Sequence, residues 1–232
     1  VVRHVLAVVV PVIAEVALPY QLSLRDQLTR AQIMSDLVLS RSSLLSSQLA
    51  SAFRRLEVFA PAQACSSQAV ALMRQIDLGS SLLQGVGYVE DNRLLCSSLG
   101  QPEAMDVGPA DYVSATNVAI RRQRELPISP GTPLLLVTAM SGFTGLVHPA
   151  LIFSLSDDGG DLPAGTVSYS TRQTIIHTGP TTLNWAEAQI APDAYDGTLV
   201  MGDQLIAWRR SSQWDQFAYA AVPVAAIGAE LR

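Results

Sequence analysis

The stretch from Gln21 to Ala60, QLSLRDQLTRAQIMSDLVLSRSSLLSSQLASAFRRLEVFA, contains neither glycine nor proline. Apolar side chains recur along it at Leu24, Leu28, Ala31, Met34 and Val38, then at Leu45, Leu49, Ala52 and Leu56. Residues three and four apart share one face of an α-helix, so this pattern is an amphipathic stripe. The reading is one helix of about 40 residues, roughly 60 Å long, which Pro61 terminates. The alternative is two packed helices with a break near Ser42-Ser43, inside the serine-rich run from Ser40 to Ser47.

Outward from this helix the composition changes. All fifteen glycines lie at Gly79 or later, so helix gives way there to structure punctuated by turns. A second helix is expected over Ser66 to Ile76, with Leu72, Met73 and Ile76 facing inward. Short apolar runs between turn clusters then read as strands. Ser81 to Val89 pairs with Arg93 to Ser97 across Glu90-Asp91-Asn92, since Asn tolerates left-handed geometry. Further strands are expected over Leu134 to Met140, Leu146 to Leu155, Thr166 to Ser170, Thr174 to His177, Thr198 to Trp208 and Gln216 to Val222, with a closing helix from Val224 to Leu231. Pro/Gly-rich loops, Pro127 to Pro133 and Asp157 to Gly165, lie between them. No internal repeat stands out. The fold class is α+β: a long N-terminal helix packed on a mostly antiparallel sheet.

Composition bounds the function. The 232 residues suffice for a large core without disulfides. Charged residues are 15% and hydrophobic ones 49%, which excludes intrinsic disorder. The net charge is −5, and all basic residues are Arg, so nucleic acid is not an expected partner. Two cysteines, Cys65 and Cys96, with three histidines, fall short of a structural zinc site.

The chain starts at Val1 and reads as a piece of a longer protein. Val5 to Leu18 is almost continuously apolar, with Arg3 and His4 in front and Pro11 and Glu15 inside. A signal-peptide core fits the length but lacks a convincing cleavage site, and a buried core helix is the plain alternative. The favoured reading makes residues 1–20 the membrane-spanning start, with Arg3 on the cytoplasmic side, and 21–232 the folded domain.

Candidate chemistry is sparse. No Gly-x-Ser-x-Gly elbow occurs, Met140-Ser141-Gly142-Phe143 being the nearest approach. Asp157-Asp158-Gly159-Gly160-Asp161 lacks the spacing of a calcium loop and reads as a solvated turn. His148 and His177 read as strand-end residues. Gly85-Val86-Gly87 lacks the third glycine of a dinucleotide fingerprint. Arg121-Arg122-Gln123-Arg124 is the densest basic patch; it suits an anionic ligand or phospholipid head groups, but reads first as a solvated loop before Pro127. No metal and no cofactor are expected. Cys65 and Cys96 are each followed by two serines. Behind a membrane-like segment they point to an oxidising compartment; if paired, they close a loop worth about 3–4 kcal/mol. Two buried free thiols are the equal alternative.

The run Leu82-Leu83-Gln84-Gly85-Val86-Gly87-Tyr88-Val89, followed by Asp91-Asn92-Arg93-Leu94-Leu95-Cys96-Ser97-Ser98, resembles the CSS-motif domain. That domain is the periplasmic sensor of membrane-bound bacterial EAL-type cyclic-di-GMP phosphodiesterases. Cys65 stands where the family carries its second cysteine, Val107 to Tyr112 is similar to its segment after the motif, and Gly145 to Phe153, with His148-Pro149, to its central strand. The resemblance spans essentially the whole chain.

It implies a domain of the bacterial inner membrane that faces the periplasm, bracketed by two transmembrane helices, the second leading to a cytoplasmic EAL domain, in a homodimer. Cys65 and Cys96 would form a disulfide installed by the periplasmic disulfide-forming machinery, with Ser97 and Ser98 completing the motif. Oxidation would restrain the phosphodiesterase. Reduction would release it through association of the second transmembrane helix, and would expose the domain to periplasmic proteases. Glu-Ala-Leu and the metal-binding carboxylates of that catalysis do not occur here, so no enzymatic activity is expected of this chain. A second hypothesis is a PAS-like extracytoplasmic sensor whose sheet cups a small ligand, its pocket lined by Tyr88, Tyr112 and Trp208. A third, a secreted hydrolase, has no favoured nucleophile.

Overall fold

The computed structural model describes residues 2–100, 103–153, 162–179 and 183–225, with side chains in the first helix from Tyr20 onward. Helix α1 (Val2–Leu56) runs 55 residues without a break, about 80 Å at the usual rise. The serines that suggested a break instead bond back along the helix: Ser42 Oγ donates to Leu39 O, Ser46 Oγ to Ser42 O and Ser47 Oγ to Ser43 O. Their hydroxyls are satisfied without opening the backbone ladder. The helix stops at Leu56, ahead of Pro61, and Pro61 instead opens a single 3-10 turn, Pro61–Gln63.

No helix among the described residues is long and apolar enough to cross a membrane. Of the expected membrane-spanning start, residues 1–20, the backbone is helical from Val2 but the side chains through residue 19 lie outside the described ones. The Asp157 to Asp161 turn and nearly all of the expected closing helix also lie outside them.

The α+β class holds, with two antiparallel sheets where one was expected. Strands β1 (Leu83–Glu90), β2 (Arg93–Ser97), β3 (Met105–Asp106), β4 (Tyr112–Val113), β5 (Ala119–Arg124), β6 (Leu134–Thr138) and β7 (Phe143–Val147) form the first, in order β3-β2-β1-β7-β6-β5-β4. Strands β8 (Ala164–Ser168), β9 (Thr174–Thr178), β10 (Asp196–Met201), β11 (Gln204–Arg210) and β12 (Gln216–Pro223) form the second, in order β10-β11-β12-β8-β9. Without the two-residue strands β3 and β4, both sheets have one plan: the unit's first strand lies between its second and its last, and the last continues to the fourth and third. This structural repeat has no counterpart in the sequence.

Three expected elements are corrected. Leu146 to Leu155 is not one strand: β7 ends at Val147, and after Pro149 the chain forms a short helix, α3 (Ala150–Phe153). Thr198 to Trp208 is a hairpin, β10 and β11, reversed at Gly202 with φ of 61°. Residues 121–124 belong to strand β5.

The long helix rests on small residues. Along β12, Ala218, Ala220 and Val222 join the main core with α1, while Phe217, Tyr219 and Ala221 point into a second cluster with Trp185. On β11, Ala207 joins the helix side and Ile206 and Trp208 the other. Alternation across a strand thus gives the helix a flat alanine surface and sends the aromatic bulk away from it. The stripe of α1 that buries Ala31, Met34, Val38, Leu45, Leu49, Ala52 and Leu56 is the one the spacing predicted. At the first sheet the approach is so close that a Cβ on Gly145 would collide with Leu49.

Candidate functional site

Cys65 and Cys96 are joined by a disulfide, with their Cα atoms 5.7 Å apart. Cys65 follows the 3-10 turn that leaves α1 and precedes Ser66, the N-cap of helix α2 (Ser67–Leu78). Ser66 Oγ accepts from the Ala69 N–H, a capping arrangement that fixes where the helix starts. Cys65 is exposed and Cys96 half-buried, whereas the neighbouring Ala64 is fully buried. The bond therefore joins an exposed residue to a half-buried one beside a well-packed floor.

The two serines of the motif act inside the protein. Ser97 and Ser98 are 2% and 8% exposed. Ser98 Oγ accepts from the Val86 N–H at 3.0 Å and donates to Asp77 Oδ2 at 2.9 Å. Its N–H donates to Val86 O, and its carbonyl accepts from Arg74 Nε. Asp77 and Arg74 lie in the C-terminal half of α2. Helix α2 is thus fastened to β2 at both ends, covalently through Cys65–Cys96 and by hydrogen bonds through Ser98. Gly87 makes room for the hairpin beneath it, since a Cβ there would lie 2.6 Å from Leu94 Cδ1 and 2.7 Å from Cys96 O. Asp77 escaped the sequence reading, because nothing local marks a partner 21 residues from Ser98.

The three aromatics expected to line one pocket are not brought together. Tyr88 packs edge-on against Phe143 at 5.3 Å in the main core. Trp208 stands on the far face of β11, against Phe217 at 6.1 Å. Tyr112 alone of the three lines a half-open cavity of about 190 Å³ bordered by α1 and both sheets, with Leu45, Leu49 and Phe53 from the helix and Trp214 and Asp215 also in its wall. Burial raises the Tyr112 hydroxyl well above the usual tyrosine range; Arg122 opposes this and Asp215 adds to it. Asp215 accepts from Ser168 Oγ, Ser170 N and Ser170 Oγ, while the Trp214 indole N–H is buried with no partner among the described residues. The turn Ser211-Ser212-Gln213-Trp214-Asp215 before a strand was the signal for this wall, and it was missed.

The arginine cluster is a strand rather than a solvated loop. Arg121 is 5% exposed and donates to Gly108 O, Thr138 Oγ1 and Asn92 Oδ1. Burial, and then Arg124, lowers its pKa, against Asp111, which raises it. Arg122 and Arg124 lie across the strand from it and flank Asp111. The β5–β6 ladder slips between Arg121 and Arg124, where Gln123 takes a left-handed φ of 50°.

A family model described as the CSS motif domain associated with EAL matches residues 29–231. No curated protein matches the sequence. Among solved structures, the extracellular domain of rpHK1S-Z16, named as a histidine kinase, superimposes with a TM-score of 0.56 at 14% identity, over 89% of this chain and 98% of that one. The ligand-binding domain of the Campylobacter jejuni chemoreceptor Tlp3, in complex with 4-methylisoleucine, gives 0.49 at 9% identity, over 91% and 94%. The first likeness shows a shared fold.

Proposed function

This chain belongs to the family of CSS-motif domains associated with EAL, and from that premise we propose that it is a periplasmic redox-sensing input domain. Its disulfide state governs a cyclic-di-GMP phosphodiesterase domain of the EAL type, carried elsewhere in the same inner-membrane protein. The observation that carries the reading is the disulfide from Cys65 to Cys96, which ties the end of α1 and the start of α2 to strand β2. A thiolate of a periplasmic dithiol attacks the bond, a mixed disulfide forms, and the donor's second thiol resolves it. The donor leaves as a disulfide, and the domain keeps two thiols. The freed turn then shifts against the sheet while the Asp77–Ser98 bond still holds the other end of α2, a two-state element set by covalent chemistry.

In the full-length protein, reduction and the C65A/C96A double substitution are both expected to raise cyclic-di-GMP hydrolysis, with no further gain from reducing the double variant. Unchanged hydrolysis in both, or free thiols in non-reducing mass spectra of periplasmically exported protein, would sink the reading. A second reading, a small-ligand sensor, is favoured by the largely apolar cavity between α1 and the two sheets. It is separable, because ligand response would survive the loss of both cysteines.

A further inference from the structure

Arg122 and Arg124 line a recess of about 450 Å³ between the two sheets. On the first sheet's side it is walled by β5 with Pro133, Leu135 and Pro149, and on the second sheet's side by Ile175, Ile176 and His177 of β9. We infer that this recess binds a small organic monoanion, its carboxylate held by Arg122 and Arg124 and its apolar body lying on Leu135 and Ile175. The inference goes beyond the redox reading and does not depend on it.

Charge comes first. Arg122 and Arg124 face one carboxylate, Asp111, and Arg121 beside them donates to neutral acceptors, so the cluster keeps an excess of positive charge that an anion offsets. The cluster's donors are only partly used. Arg124 Nη2 serves Pro109 O and Asp111 Oδ1, while Arg124 Nε is buried with no partner among the described residues. A small shift of the partly exposed Arg124 side chain would bring Nε to one oxygen of an anion, a single charge-assisted bond beside the engaged Nη2. A buried donor left unpaired costs free energy that an incoming oxyanion recovers.

Position comes next. Arg122 Nη1 donates to Thr174 O on β9 at 3.0 Å, so the arginine that would meet the anion already bridges the sheets. His148 Nδ1 accepts from the Ala150 N–H, which leaves Nε2 as that ring's donor. Leu135, Ile175 and Ile176 also line the neighbouring apolar cavity, so an occupant here would press on its wall. The bulge at Gln123, left-handed without being glycine, is the kind of local strain that collects at binding sites.

The test is a titration of the whole chain, 15N-labelled, with benzoate, reading the backbone amides of Ile175 and Ile176 in every variant and, in the parent, the Arg124 Nε–Hε resonance as well. A saturable shift is expected. Benzamide, the neutral analogue, should bind at least about tenfold more weakly, and Arg124→Gln should lose a similar factor. Arg93→Gln, on an exposed stretch of β2, should bind as the parent does. A shift that never saturates, equal binding of benzamide, or undiminished binding by a folded Arg124→Gln would overturn the proposal. Inorganic phosphate displacing benzoate at lower concentration would overturn the assignment of a carboxylate head. Should Arg124→Gln fail to fold, the benzoate–benzamide comparison on the parent chain decides alone.

Discussion

The hydroxyl of Ser98 accepts from the buried Val86 N–H and donates to the Asp77 carboxylate at the same time. Ser98→Ala removes both bonds and leaves a backbone donor without its partner, so it should cost about 1–3 kcal/mol in urea denaturation. Asp77→Asn keeps a hydrogen-bond acceptor but loses the charge, and should cost less. A loss within error for Ser98→Ala would mean that water replaces the hydroxyl, and that the serine has no structural share in the clamp. At this scale the sequence was informative about which residues mattered and silent about why. The tripeptide Cys96-Ser97-Ser98 was visible as a motif, but Asp77 and Arg74 join it only because α2 folds back over β1 and β2.

Among the elements, α2 is the one whose attachment the chemistry can change. Its first turn hangs on Cys65–Cys96 and the Ser66 cap, its last turns on Ser98. Reduction should therefore speed amide hydrogen exchange at Ala69 and Val70 more than at Ile76 to Leu78, read by mass spectrometry or NMR. Equal acceleration along the helix would show that the two ends do not respond separately. The helix α1 was legible in advance because its stripe of apolar residues is a local, periodic signal. Its continuity through the serine run was the favoured reading over a break near Ser42-Ser43, and there Ser42, Ser46 and Ser47 bond back along the helix. The arginine run was misread as a loop because Arg121 is satisfied by Gly108, Thr138 and Asn92, acceptors from three distant segments.

For the molecule as a whole, the disulfide closes a loop of 31 residues in sequence separation, worth about 3–4 kcal/mol by loop-closure entropy. The core does not depend on it. The helix stripe, the alanine face of β12 and the aromatic cluster around Trp185 are packed without either cysteine at their centre. Reduction is expected to lower the urea midpoint by that order while leaving one cooperative transition with native circular dichroism. Loss of the transition altogether would make the bond a staple instead of a sensor element. The repeated strand order has its consequence at this level too. Two sheets of one plan share a single long helix, and the recess at Arg122 and the apolar cavity both lie at their junction.

Amino-acid order by itself determined the long amphipathic helix, the point at which helix yields to strands, the Gly87-bearing hairpin and the pair of cysteines set in Cys-Ser-Ser runs. Those are local signals, carried by periodicity, by glycine and by residues adjacent in the chain. Only the tertiary structure decided that there are two sheets, that Tyr88, Tyr112 and Trp208 go three separate ways, and that Arg122 and Arg124 face β9 across a recess. The reason is physical: alternation along a strand says which residues share a face, but not which partner covers it. That choice is made by packing between segments far apart in sequence, here by an alanine surface that lets one helix span both sheets.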